Sequence, residues 1–227
     1  KGSASTADLS HEALERTVKA AIDIAKYTNE DPYSGLVESE LMATDIPDLD
    51  LCHPYEISPE EAITFCLEAE KTAFETDSRI TNSDGASLSS YQGFKVYGNS
   101  HGFIEGYPSS RHSLSCSVIA ESGDEMQRDY AYTVDRVFEE MDAASVVGNK
   151  AAKAAIERLN ARKLDTCQVP VLFHAEVAST LFGHLVSAIS GGSLYRNSSF
   201  LMDSIDTKIL PDFLTIEERP HVLRGLA

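Results

Sequence analysis

One histidine at the mouth of an apolar segment is the residue of this chain best placed to do chemistry. The stretch Val169-Pro-Val-Leu-Phe-His-Ala-Glu-Val-Ala-Ser-Thr-Leu-Phe-Gly-His184 reads as a zinc-binding helix whose ligands have been exchanged. Two imidazoles four residues apart on a helix lie about 40° from each other around the axis and grip one ion, while a Glu between them activates the bound water. A five-residue spacing swings the second ligand by roughly 140° and works only where a bulge absorbs the extra residue. Here the residue after His174 is Ala175, the residue four on is Ala178 and the residue five on is Ser179. Neither the water-activating carboxylate nor the second imidazole stands where that chemistry needs it.

Glu176 and His184 follow at offsets that turn them away from the His174 face of a regular helix. His174 therefore reads as a hydrogen-bonded histidine at a helix entry. His174, Glu176 and His184 are kept as a substrate-binding or vestigial site, with no catalytic and no metal-ligating residue assigned. His174-Ala175-Glu176 also matches half of a zinc deaminase signature, but that site needs a Pro-Cys-x-x-Cys downstream, and the last cysteine, Cys167, lies upstream.

The elements that must position these residues can be read from caps and periodicity. Val169 to Phe173 has the composition of a strand leading into a helix that runs to about Ser190, where Gly191-Gly192 is a natural terminator. Upstream, Asp8 or Ser10 can cap a helix carrying Leu14, Val18, Ala21, Ile22 and Ala25 on one stripe and ending near Thr28. Residues up to His53 read as an acidic connector; Asp45, Asp48 and Asp50 lack the glycine and terminal Glu of a calcium loop. Ser58-Pro59-Glu60-Glu61 is a capping box with proline in the first turn, predicting a helix to about Thr76.

From Arg79 to Val134 short alternating runs are punctuated by Asp84-Gly85, Gly98-Asn99, Tyr107-Pro108 and Ser122-Gly123, a spacing that predicts an antiparallel meander of about five strands. Lys95, Glu105, Arg111 and Arg128 belong on its wetter face, and an exposed sheet edge can pair with an extended peptide. His101, Arg111 and His112 are a set able to orient a carboxylate, without a nucleophile or metal spacing to accompany them, so a structural or subunit-contact role is expected. Helices are predicted over Asp135–Met141 and Gly148–Arg162, and the tail from Ser199 reads as further strands and a turn. The fold class is α+β: an antiparallel meander flanked by helices, leading into the start of a second α+β region. Two regions are expected, 1–168 with the meander at about 79–134, and 169–227 with the degenerate zinc-motif helix.

The 169–184 segment, together with Arg79-Ile-Thr-Asn, Tyr97-Gly-Asn-Ser-His-Gly102, Arg111-His-Ser113, Arg128-Asp-Tyr-Ala-Tyr132 and Gly191-Gly-Ser-Leu-Tyr-Arg196, resembles the PmbA/TldE branch of the TldD/PmbA family. The agreement runs over nearly the whole chain, which resembles the middle of a longer family member. The resemblance implies a cytoplasmic peptidase assembly in which a TldD-type subunit carries a His-Glu-x-x-x-His zinc motif and a distant cysteine ligand. A PmbA/TldE-type subunit pairs with it, and the substrate is an extended or unfolded peptide. The motif positions map to His174, Ala175 and Ser179, of which only the first is retained. The resemblance thus implies no cofactor in this chain, zinc in a TldD-type partner, and a dimer.

Composition limits the alternatives. A 42% apolar content supports a packed core, and 36 acidic against 19 basic residues, a net charge of −17, leave little from which to build a phosphate-binding patch. Direct nucleic-acid binding is not expected. No apolar run is long enough to span a membrane and no leader is evident. Cys52, Cys66, Cys116 and Cys167 are scattered without a Cys-x-x-Cys and read as reduced, bland thiols. Three functions follow: a supporting subunit of a peptidase, a peptidase acting alone, which Ala175 and Ser179 argue against, and a non-enzymatic regulator working by protein contact.

Overall fold

The structure, a computed structural model, describes residues 1–226. Its centre is an antiparallel three-stranded sheet in the order β1-β2-β3, formed by Ile80–Gly98 (β1), Ile104–Ser122 (β2) and Glu125–Asp135 (β3). The fold is α+β, but the meander has three long strands rather than five. Two of the expected turns are not turns. At Asp84-Gly85 the chain makes a bulge against β2, with Gly85 at φ 108°, so the pairing shifts register and continues. Tyr107-Pro108 lies inside β2. The Ser110 N–H leaves the sheet for the Leu51 carbonyl at 2.9 Å, so the backbone nitrogen two residues earlier faces the same open side, where β3 no longer pairs. Proline there deletes no ladder bond. The true reversals are the loop after Gly98, with Gly102 at φ 84°, and Gly123-Asp124, with Gly123 at φ 62° as a II′ turn requires.

Two helices cover one face of the sheet. The second helix, α2 (Pro59–Thr76), starts where the capping box predicts: Ser58 Oγ accepts from the Glu61 N–H at 3.2 Å while Glu61 Oε2 accepts from the Ser58 N–H at 2.9 Å. Ser58→Ala is expected to lower stability by about 1 kcal/mol, read as a lower urea midpoint; an unchanged midpoint would mean the cap contributes nothing. The third helix, α3 (Ala144–Glu157), begins four residues before the predicted start, because its N-cap is Ala143, whose side chain cannot announce a boundary. The helix expected over 135–141 is a 3-10 turn at Phe138–Glu140.

The core between helices and sheet is built from small residues. Ala69, Ala73, Val147, Ala151, Ala152 and Ala155 meet Leu114, Cys116, Val118 and Ala120, the last four supplied by the period-two inner face of β2. All four cysteines are free, and burial pushes the Cys116 thiol up to about 11, which keeps it protonated and inert.

The first helix, α1 (His11–Tyr27), is capped by Ser10 through the Ala13 N–H and ends at Thr28, yet its stripe of Leu14, Val18 and Ile22 stays largely exposed. Helices α4 (Ala175–Ile189) and α5 (Gly191–Tyr195) follow. The glycine pair does not terminate α4; Ser190 does, and it also caps α5 by accepting from the Ser193 N–H. Val169 to Phe173 forms no strand, and none forms between 199 and 226. A strand needs a neighbour for its backbone, and among the described residues none is offered to either segment. Lys95, Glu105, Arg111 and Arg128 are exposed as expected.

Candidate functional site

Helix α4 spans Ala175 to Ile189, where Ala175, Ala178, Leu181, Leu185 and Ala188 favour a helix against weaker formers such as Gly183 and no proline interrupts, with Glu176 in the first turn where the helix dipole favours a carboxylate. His174 is its N-cap, at φ −58° and ψ 144°, and contributes its carbonyl to the Ala178 N–H at 2.8 Å. It sits at the helix entry as expected. The imidazole, however, is exposed and makes no hydrogen bond among the described residues, because the capping work is done by its backbone.

The three residues singled out from the sequence do not converge. His184 lies eight positions beyond Glu176, about 12 Å along the axis of a regular helix, and both are exposed. At the position of a second imidazole, the Ser179 hydroxyl is turned back onto the Glu176 carbonyl at 2.7 Å. A zinc ion needs several deprotonated nitrogen, sulfur or carboxylate ligands converging within about 2.3 Å, and this donor set does not fit one. Among the described residues no group of three His, Cys, Asp or Glu side chains is close enough to share a metal. Around these residues α4 is apolar: Val177, Leu181, Val186 and Ile189 are roughly half exposed, and Leu172 just before it is 99% exposed.

The other histidine set divides. Arg111 and His112 are adjacent on β2 and so face opposite sides: Arg111 is exposed on the open face, while His112 is completely buried on the inner face, beneath Tyr55 and Phe138. His101 is exposed in the hairpin loop, and its backbone N–H is held by the Asn99 side chain. No carboxylate clamp is assembled from the three. Instead His112 Nδ1 lies 2.9 Å from Ser90 Oγ and Nε2 lies 3.0 Å from the His53 carbonyl oxygen, with the Tyr55 and Phe138 rings edge-on to the imidazole. The alternation of Ser110, His112, Leu114, Cys116 and Val118 carries the signal for this burial; Ser90 is brought in only by strand register.

A second feature that sequence reasoning missed is Arg136. This buried guanidinium donates to the Gly225 carbonyl and to the Ser110 carbonyl, tying the last described turn of the chain to β2. Beside it Arg224 pairs with Asp50 at 2.6 Å and Glu140 at 2.8 Å, and that contact holds the Asp50 carboxyl below its ordinary range. Asp50 thus serves an ion pair, while Asp48 accepts from the Asp50 N–H. No helix among the described residues is long and apolar enough to cross a membrane.

Comparison with known proteins places these observations. The family model for the PmbA/TldA metallopeptidase central domain matches residues 52–159, and that for the PmbA/TldA metallopeptidase C-terminal domain matches residues 166–227. Metalloprotease PmbA of Escherichia coli O157:H7 is 56% identical over 227 residues, covering 100% of this chain and 50% of that protein. The chain spans about half the length of the curated relatives it matches. Among solved structures, a candidate modulator of DNA gyrase from Bacteroides thetaiotaomicron superposes with a TM-score of 0.87 at 25% identity, over 98% of this chain and 52% of that one. TldE from Thermococcus kodakarensis shares the fold, with a TM-score of 0.62 at 17% identity over 84% of this chain and 43% of that one. The chain belongs to the PmbA/TldD metallopeptidase family.

Proposed function

We propose that this chain is part of a PmbA/TldE-type subunit, acting in proteolysis and peptide maturation beside a zinc-bearing TldD-type partner and lacking the catalytic zinc itself. The observation that carries the reading is the pair Ala175 and Ser179 at the places where a zinc peptidase needs its general base and second imidazole. Without them no water is activated on α4, because zinc lowers the pKa of bound water to about 7 only when ligands hold it and a base stands beside it. The exposed apolar surface of α4 and of residues 169–173 supports a role in subunit contact and in enclosing an extended peptide. The assembly is a cytoplasmic dimer in this reading.

A second reading, regulation by protein contact without chemistry, is supported by the Bacteroides neighbour being described as a candidate modulator of DNA gyrase. With a net charge of −17, such an effect would run through a protein and not through DNA.

The test is the zinc content and peptidase activity of the full-length protein, alone and mixed with a TldD-type subunit. Well under one zinc per chain alone, with chelator-sensitive cleavage only in the mixture, is the expected result. Stoichiometric zinc and cleavage by this protein alone would overturn the assignment, and tight complexes with no peptidase present would favour the second reading.

A further inference from the structure

The Ser90–His112 pair has the arrangement of a nucleophile and its base. A carbonyl oxygen only accepts, so the 3.0 Å contact of His112 Nε2 with the His53 carbonyl places the ring proton of the neutral imidazole on Nε2. Nδ1 is left as an acceptor, and the Ser90 hydroxyl at 2.9 Å donates to it. The Tyr55 carbonyl at 3.5 Å is the weaker competitor for that proton. This is the proton direction a serine nucleophile needs, with a backbone carbonyl in the orienting position that a carboxylate takes in hydrolase triads.

The surroundings suit the same chemistry. The base is completely buried and its ring is held by Tyr55 and Phe138, which stack on each other at 4.0 Å, so the imidazole cannot swing away. The nucleophile is exposed and opens into a groove of about 600 Å³ lined also by Glu56, Ile57, Ser58 and Gln92. The backbone supplies a donor. Because the Ser110 N–H points away from β1, its pairing with Gln92, and two residues on that of His112 with Ser90, are non-hydrogen-bonded positions. The Ser90 N–H therefore faces the open edge of β1, beside its own hydroxyl, where it can stabilise an oxyanion. Glu56 at the groove disfavours anionic substrates.

We infer that Ser90 and His112 form an acyl-accepting centre that hydrolyses uncharged carboxylic esters. Ser90 Oγ bonds to the ester carbonyl carbon as its proton passes to His112 Nδ1. The carbon–oxygen bond to the alcohol then breaks and that oxygen leaves with the proton. Water repeats the transfer, giving its proton to Nδ1, and the Ser90 ester is cleaved to acid and free serine. The centre uses no residue of α4 and needs no metal.

An alkyl fluorophosphonate applied to the full-length protein, followed by mass mapping, tests this with Ser89 as an internal control, since Ser89 is exposed on the opposite face of the same strand. The expected result is an adduct on Ser90 and not on Ser89. His112→Asn, which accepts the serine hydrogen bond but not its proton, should slow labelling by about 100-fold or more, and Ser90→Ala should lose the release of nitrophenolate from 4-nitrophenyl acetate. Equal labelling of Ser89 and Ser90, unchanged labelling in a folded His112→Asn protein, or full nitrophenolate release by Ser90→Ala would each overturn the inference. Should His112→Asn fail to fold, the Ser90-to-Ser89 ratio in the unsubstituted protein decides.

Discussion

Gly148→Ala is expected to destabilise the protein by about 3 kcal/mol or more, enough to leave a marginally stable unit unfolded at physiological temperature. The residue lies in the interior of α3, where alanine would ordinarily add nearly 1 kcal/mol of helix stability over glycine. The sign reverses here because a Cβ at this position would stand 2.0 Å from the Ala69 carbonyl oxygen and 2.9 Å from its carbonyl carbon. Those are backbone atoms of α2, and no rotamer change moves them; the helices must separate, opening the contacts that Ala69, Val147 and Ala152 make in the core. Thermal and urea midpoints measure the loss. Gly183→Ala supplies the contrast: its Cβ would meet nothing within 4 Å on α4, so that substitution should be neutral or slightly stabilising. Equal effects from the two would mean that α2 and α3 are not in backbone contact.

That close approach explains why part of the fold was legible and part was not. Local chemistry was readable: the Ser58 box, the Ser10 cap and the breaks at Thr28 and Thr76 all involve partners within a few residues. The start of α3 was not, because Ala143 is a silent cap and Gly148, which looks like a boundary, is an interior residue chosen for its lack of a side chain. The strand count failed for a related reason. Asp84-Gly85 and Tyr107-Pro108 are turn dipeptides by composition, and only pairing with a distant strand shows that one is a bulge and the other an edge position. The predicted strands at 169–173 and in the tail failed because a strand is completed by its partner, and the described chain provides none. At the candidate site, the exchanged ligands were legible because motif spacing is local to one helix. The Ser90–His112 contact spans 22 positions and the Arg136–Gly225 contact spans 89, so neither has a local signature.

Arg136 is where that long-range order is expected to matter most for the relation between the two family-model regions. It lies in the 52–159 match and grips Gly225 in the 166–227 match. Its partners are all carbonyls: Nε and one terminal nitrogen donate to Gly225, the other donates to Ser110 at 3.0 Å, and the Ser110 hydroxyl returns a bond to the Arg136 carbonyl at 2.9 Å. Arg136→Met keeps most of the apolar volume but leaves two acceptors without their charged donor, at a cost of about 3 kcal/mol. Arg136→Lys should recover less than half of this, since one ammonium cannot reproduce the planar fork that reaches two carbonyls in different directions. Arg224→Ala should cost much less than Arg136→Met, because that side chain makes its ion pairs with Asp50 and Glu140 about half exposed to solvent, where water and salt screen them. Hydrogen exchange resolves the consequence: the Arg224 amide, bonded to the Leu49 carbonyl, and the Ser110 amide, bonded to the Leu51 carbonyl, should lose protection together in Arg136→Met. If both amides keep their protection, the guanidinium is a passenger, and the 222–225 turn is held by its backbone and by Arg224 alone.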